Sequence, residues 1–243
     1  MLRALLTGAD LSMIRDYVSP VFFDIMPARQ LTSEARAIAG GRLRSADDER
    51  AALSATLPEG LVLGEADGAL PAAPALRRAH GQRLLQLYFH QLYTSPTAFL
   101  DLRPERFAVT DAQSRWSPGW LRIRWEPDFI EPIRRLYLGY YSEDDAAFSE
   151  ALEALSLTAA RETFLDHFGG GDQRAVHFER AHFHQTFHEV FLACAESGAQ
   201  LHRNFVSLGL MLGCLYAHLE PLGLALDVRT AHDAVAPPRL RAG

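Results

Sequence analysis

Seven of the chain's ten histidines fall between His167 and His218, and three of them recur at the 7 and 4 spacing that lines one side of a helix: His177, His184 and His188. His184 and His188 are four residues apart, so their imidazoles can share one metal ion from successive helical turns. We predict that both are metal ligands on a helix from Asp172 to Glu196.

A metal site needs further ligands from other elements. We predict that Glu220 supplies a carboxylate, and that His177 or His202 acts as an acid/base or as a third ligand. The order HxxxHE from His184 to Glu189 differs from the HExxH of zinc proteases, which excludes a metallopeptidase. The alternative is that the histidines only hydrogen-bond to backbone or carboxylate groups and tune stability.

A second pattern lies in the most apolar segment, a predicted helix from about Ala199 to Leu219. Gly209 and Gly213 form a flat strip on one side of this helix. Such a strip lets another group come close to the backbone, which predicts a cofactor-binding surface for a planar ligand such as haem. The alternative is close packing of another helix.

Two functions follow from these patterns. The first is a bacterial enzyme that depends on iron or haem and acts on a small molecule such as an aromatic compound, with oxygen-dependent oxidation as its reaction. The second is a protein–protein interaction module that presents either the glycine strip or an aromatic surface formed by Trp116, Trp120 and Trp125. The enzyme requires imidazoles that converge on a cavity, whereas the module does not.

Composition excludes several classes of protein. All 24 basic residues are arginine, so there is no lysine for a Schiff base, for pyridoxal phosphate or for a GxxxxGK phosphate loop. The formal charge of −6 and the scattered arginines argue against nucleic-acid binding. Charged residues near the N-terminus and short apolar runs favour a cytoplasmic protein that spans no membrane. Cys194 and Cys214 are expected to be reduced core thiols.

The elements predict an all-α fold, a bundle of about five main helices with at most a small β-hairpin. The predicted organisation is an arm of short helices over 1–70, a helical bundle domain over 71–235 and a disordered tail over 236–243. Period-two alternation from Leu121 to Trp125 predicts a strand paired with Phe107–Val109. A short strand is also predicted over Leu224–Val228, and the segment Ala146–Phe168 is a helix or a broken pair of helices.

Overall fold

The computed structural model describes residues 28–42, 45–167 and 175–237, and it is 62% helical. Within this described part there are nine helices and seven strands of three residues each. The helices are α1 (Ala28–Arg42), α2 (Asp47–Ser54), α3 (Pro74–Thr94), α4 (Pro127–Ser142), α5 (Asp145–Ala154), α6 (Arg161–His167), α7 (Arg180–Ser197), α8 (Phe205–Leu219) and α9 (Val228–Val235). The strands are β1 (Leu61–Leu63), β2 (Thr97–Phe99), β3 (Phe107–Val109), β4 (Ser114–Trp116), β5 (Arg122–Arg124), β6 (Ala175–His177) and β7 (Ala225–Asp227).

The fold is mostly helical, as predicted, but it has more helices and strands than a five-helix bundle with one hairpin. The predicted pairing of the strand after Trp120 is wrong. Strand β5 pairs antiparallel with β2, and β3 pairs instead with β4. A tight turn in which the Thr110 N–H donates to the Gln113 carbonyl joins β3 to β4, so the nearer segment becomes the partner of β3.

The histidine helix is shorter than predicted, because α7 begins at Arg180. Residues Ala175–His177 form β6, which pairs antiparallel with β7 near the C-terminus and places Val176 opposite Leu226. His177 therefore lies on a strand and not on the helix that carries His184 and His188. The predicted Asp172 cap lies outside the described residues, as do positions 1–27 of the N-terminal arm and positions 238–243 of the tail.

The core is built around α8. Thirteen of its fifteen residues are buried, as expected for a helix that is apolar nearly all round. By length and composition alone Phe205–Leu222 could cross a membrane, and 83% of that window is buried inside the protein. Cys194 and Cys214 are buried free thiols, which confirms the prediction made for them. The predicted aromatic surface is wrong for Trp116 and Trp125, which are core residues with 0% and 4% exposure.

Two fully buried histidines join α3 to α8. The Nε2 atoms of His80 and His218 lie 3.0 Å apart, His218 Nδ1 lies 2.8 Å from the Leu102 carbonyl oxygen, and His80 Nδ1 lies 2.8 Å from Ser114 Oγ. A carbonyl only accepts, so His218 Nδ1 carries a proton and its Nε2 accepts one from His80. His80 Nδ1 then accepts from the Ser114 hydroxyl. When both rings are neutral, this is the one placement of the protons that gives every contact a donor and an acceptor.

Burial favours neutral rings. It lowers the pKa of His80 to about 3, with help from His218 and Arg83, and it lowers the pKa of His218 to about 4 against the opposing effect of the Leu102 carbonyl. Both values lie below the ordinary histidine pKa, so the unfolded chain binds more protons as the pH falls. The pair therefore stabilises the fold above about pH 6.5 and loses that contribution on acidification towards pH 4.

We predict that the free energy of unfolding falls steeply between pH 6.5 and pH 4.5. Each buried histidine contributes a slope of about 1.4 kcal/mol per pH unit in this window. The double variant His80→Gln/His218→Gln should have a slope smaller by about 2.8 kcal/mol per pH unit, even if it is less stable at pH 7.5. Urea denaturation over this range measures the slope. Equal slopes in the variant and the parent would contradict the assignment.

Candidate functional site

The structure does not gather the predicted metal ligands into one group. His184 is half-buried and His188 is exposed on α7. Glu220 pairs with Arg180, accepting from its backbone N–H at 3.0 Å and from its Nε at 2.5 Å. Within the described residues, the one set of three histidine, cysteine or acidic side chains whose ligand atoms lie within 4.8 Å of one another is Glu126, Asp128 and His202. The metal prediction for His184, His188 and Glu220 stays a prediction without support from this geometry.

The predicted glycine strip is covered by protein. Gly209 and Gly213 are both buried in α8, and a Cβ atom added at Gly209 would lie 3.6 Å from the Phe187 ring of α7. This is ordinary van der Waals contact between two helices. The arrangement favours helix packing over a planar ligand at this strip.

A polar groove of about 520 Å³ lies between α1, strand β5 and the start of α4. Its lining joins the second half of α1 to the end of β5, the residues Trp125–Pro127 and the loop before α8. Four arginines and two glutamates take part: Arg36, Arg122, Arg124, Arg203, Glu49 and Glu126. The groove is therefore rich in positive charge although the chain as a whole carries −6.

The four guanidinium groups differ in what they already bind. Arg122 donates to the Ser45 carbonyl at 2.8 Å and lies 3.9 Å from Glu49. Arg203 pairs with Glu126 and donates to Ser33 Oγ at 3.0 Å. Arg36 and Arg124 are exposed, and the part of the chain that the structure describes offers neither of them an acceptor. These two groups can bind a ligand without breaking a contact.

His202 lies beside the groove and contacts two acids. Its Nε2 is 2.8 Å from Glu126 Oε2 and 3.6 Å from Asp128 Oδ1, while its ring stacks on Phe129 with centroids 5.2 Å apart. Its Nδ1 accepts from the Asn204 backbone N–H at 3.1 Å. A ring nitrogen that accepts carries no proton, so the proton of the imidazole is on Nε2 and points at Glu126.

Glu126 is held as a carboxylate. The hydrogen bonds from Arg203 lower the pKa of Glu126 more than any other contact does, and His202 adds to this effect. The Glu126 backbone N–H donates to Asn204 Oδ1 at 3.0 Å. Glu126 and His202 thus form a hydrogen-bonded carboxylate–imidazole pair, an arrangement suited to moving a proton.

Asn204 organises this pair from behind. Its backbone N–H binds His202, its Oδ1 binds Glu126, and its Nδ2 donates to both oxygens of the fully buried Glu34 at 3.0 and 3.2 Å. Burial raises the pKa of Glu34, although Ser207, Asn204 and Arg203 oppose the shift. Asn204 therefore connects α1, α4 and the start of α8 through one side chain.

The two histidines predicted as acid/base residues lie in different parts of the structure. His202, predicted as an acid/base, lies in this cluster; His177 is exposed on β6. Glu126 and Asp128 were missed because they lie more than 70 residues from His202 in the sequence. One signal pointed to the site, since Asn204 is the only asparagine in the chain.

We predict that Asn204→Ala destabilises the protein by about 3 kcal/mol. The substitution leaves the Glu126 backbone N–H without its partner and removes the Asn204 hydrogen bonds to the buried Glu34, which keeps Ser207 as a donor. Each of these two losses costs about 1–3 kcal/mol. The nearby Gln200→Ala on the exposed surface is the control and should cost less than about 0.5 kcal/mol. Chemical denaturation of both variants measures the difference. A small loss for Asn204→Ala would contradict its connecting role.

Comparison with known proteins assigns this chain to no family. No family model matches the chain, and no curated protein matches it.

Proposed function

We propose that the arginine-rich groove binds a small anionic molecule and that Glu126, oriented by His202, exchanges a proton with it. The observation that carries this proposal is the pair of exposed guanidiniums, Arg36 and Arg124, which have no acceptor within the described ranges and lie in the same groove as Glu126. The proposal keeps the predicted small-molecule substrate, and it gives His202, predicted as an acid/base, the role of orienting Glu126.

The lining supports an anion. Guanidinium groups bind carboxylates and phosphates through two parallel N–H donors, and a cleft of one charge sign concentrates ligands of the opposite sign. Trp125 also lines the groove, and its buried Nε1–H has no acceptor among the residues that the structure describes. An oxygen-rich ligand would supply acceptors to a wall that otherwise presents mostly donors.

The proton chemistry follows from the order of hydrogen bonds. Glu126 is a carboxylate held by Arg203, so it can accept a proton from a bound substrate. His202 is neutral, so its Nε2–H orients the other carboxylate oxygen, and Glu126 itself returns the proton to the substrate as the acid. A positioned pair of this kind accelerates proton transfer by roughly 10²- to 10⁴-fold. The reaction class is acid–base catalysis on a small carboxylate or phosphate compound.

We predict that the double variant Arg36→Gln/Arg124→Gln binds small anions at least about tenfold more weakly than the parent, because each charge-assisted hydrogen bond contributes about 1.5–3 kcal/mol. Titrations with succinate and inorganic phosphate, followed through the arginine Nε–H signals in NMR spectra, measure this affinity. Arg78→Gln/Arg135→Gln removes the same charge from exposed positions outside the groove and should bind as the parent does. Equal weakening in both double variants would mean that the net charge of the protein, and not the groove, determines the affinity for anions.

A divalent metal ion at Glu126, Asp128 and His202 is the second candidate, and the convergence of three ligand atoms within 4.8 Å favours it. Iron suits histidine with carboxylates and agrees with the predicted cofactor. An ion would have to replace the Nε2 proton of His202 and compete with Arg203 for Glu126. Metal-bound histidines usually donate their second N–H to an acceptor, whereas His202 Nδ1 faces the Asn204 N–H donor.

Haem and the interaction module have less support. Haem held between the α7 histidines and the glycine strip would have to displace Phe187 from Gly209. The protein partner was predicted for surfaces that include Trp116, Trp125 and the two glycines, and all four residues are buried.

The metal candidate predicts that ferrous iron or zinc binds more weakly as the pH falls from 6.5 to 5.5, since protons compete with the ion for its ligands. His202→Gln should abolish the binding, whereas His184→Gln/His188→Gln should keep it. Metal analysis by mass spectrometry after equilibration at each pH distinguishes the two histidine sets. Loss of metal only in the His184/His188 variant would move the site to α7, and sub-stoichiometric metal in the parent at every pH would reject this candidate.

A further inference from the structure

A second polar groove, of about 800 Å³, runs along α3 and shares no lining residue with the first. Its other walls come from the loop after α2, the turn between β3 and β4, and the end of α9. Arg83, Gln86 and His90 of α3 line it. They recur at intervals of three and four residues, so they share one face of the helix.

His90 is almost fully buried, at 4% exposure, and its hydrogen bonds favour one position of its proton. The Thr94 hydroxyl donates to the His90 carbonyl at 2.7 Å, and the Thr56 hydroxyl donates to the Leu53 carbonyl at 3.2 Å. With both hydroxyl protons directed at these carbonyls, the two oxygens accept from His90 Nε2, at 3.2 and 3.1 Å. This arrangement favours a proton on Nε2, because it makes hydrogen bonds of all four contacts.

The other ring nitrogen of His90 is then a hydrogen-bond acceptor. Within the described residues no donor contacts Nδ1. Burial lowers the pKa of His90, which keeps the ring neutral and the Nδ1 lone pair available at neutral pH. The groove thus contains a fixed acceptor at the His90 end.

Arg83 supplies a fixed donor seven residues earlier. Its Nη2 donates to the Ala112 carbonyl at 3.0 Å, and its Nη1 is buried without an acceptor in the described part of the chain. Gly60, at φ +77°, packs against the guanidinium so closely that a Cβ atom there would lie 2.6 Å from Nε. The guanidinium is therefore held in place with one nitrogen unsatisfied.

The spacing between these two groups sets the length of a ligand. Seven residues of α-helix span about 10.5 Å, and Gln86 lies between the two positions with a side-chain amide that has no partner among the described residues. The exposed Glu59 lies next to Gly60 at the edge of the same groove and adds one negative charge. The groove therefore offers a cation, an amide, an anion and a neutral acceptor.

We propose that this groove is a binding site for a small ω-amino acid, whose carboxylate accepts from Arg83 Nη1 and whose amine donates to His90 Nδ1. The carboxylate satisfies the buried donor, and the ammonium group satisfies the unfilled acceptor. Independent contacts carry this site, so it does not rest on the arginine-rich groove.

The first test needs no ligand. Two-dimensional ¹H–¹⁵N spectra of the imidazole side chains, assigned with His90→Gln, should show His90 protonated at Nε2. Protonation at Nδ1 would overturn the proposal, because the acceptor would then be absent.

The second test is a titration of the full chain with 4-aminobutyrate, 5-aminopentanoate and 6-aminohexanoate, followed at the His90 Nδ1 signal. At least one of these amino acids should bind. Hexanoate and hexylamine each lack one of the two charged groups, so both should bind at least tenfold more weakly than the amino acid that binds best. Arg83→Gln should weaken binding at least tenfold, whereas Arg135→Gln and Arg36→Gln/Arg124→Gln should not. If Arg83→Gln fails to fold, Gln86→Leu serves instead and should weaken binding measurably. Absence of binding by all three amino acids, or equal binding by the groove variants, would overturn the proposal.

Discussion

The hydrogen bond between the neutral rings of His80 and His218 is the constraint on which the rest of the structure depends. It joins the two most buried long helices, α3 and α8, and it also ties them to Ser114 on β4 and to the Leu102 carbonyl. Two neutral histidines have few arrangements that give all four ring nitrogens a hydrogen-bond partner without water. The positions of α3 and α8 along and around their axes are therefore narrowly defined. Both grooves inherit their geometry from this junction, because one lies along α3 and the other reaches the loop that begins α8.

All positively charged side chains apart from histidine are arginines, and they divide into those that bind the protein's own carbonyls and those that do not. Many guanidiniums bind backbone carbonyls at loop and helix ends, as Arg77 binds Leu222, Arg134 binds Leu92 and Arg229 binds Tyr141. A planar group with several donors can make such a contact and retain other N–H groups. Against this background of arginines with structural contacts, Arg36, Arg124 and the Nη1 of Arg83 are donors that the described fold does not use, as are Arg29, Arg135 and the Nε atoms of Arg50, Arg77 and Arg115.

Local patterns predicted much of the fold, and non-local contacts account for most of what they missed. The apolar helix α8 was predicted within about Ala199–Leu219 and the strand near Ala225 as Leu224–Val228, because period and end signals are local. The start of α7 was misplaced, since pairing of Val176 with Leu226 depends on a segment about 50 residues away. The spacing of four between His184 and His188 described a face of α7, but the spacing of seven did not, because His177 lies on β6. The cluster at His202 required Glu126 to approach from another helix, which no local spacing encodes.

Asn204 also has a consequence for the chemical ageing of the protein. All of its side-chain hydrogen-bonding contacts have a fixed direction, with the oxygen towards the Glu126 N–H and the nitrogen towards the Glu34 carboxyl. Hydrolysis of this one amide to an acid would place a third carboxyl group between Glu34 and Glu126, with no donor left for either oxygen of Glu34 from that side chain. Since no other asparagine exists in the chain, deamidation of asparagine can damage this protein at one position only, and that position is the centre of its polar site.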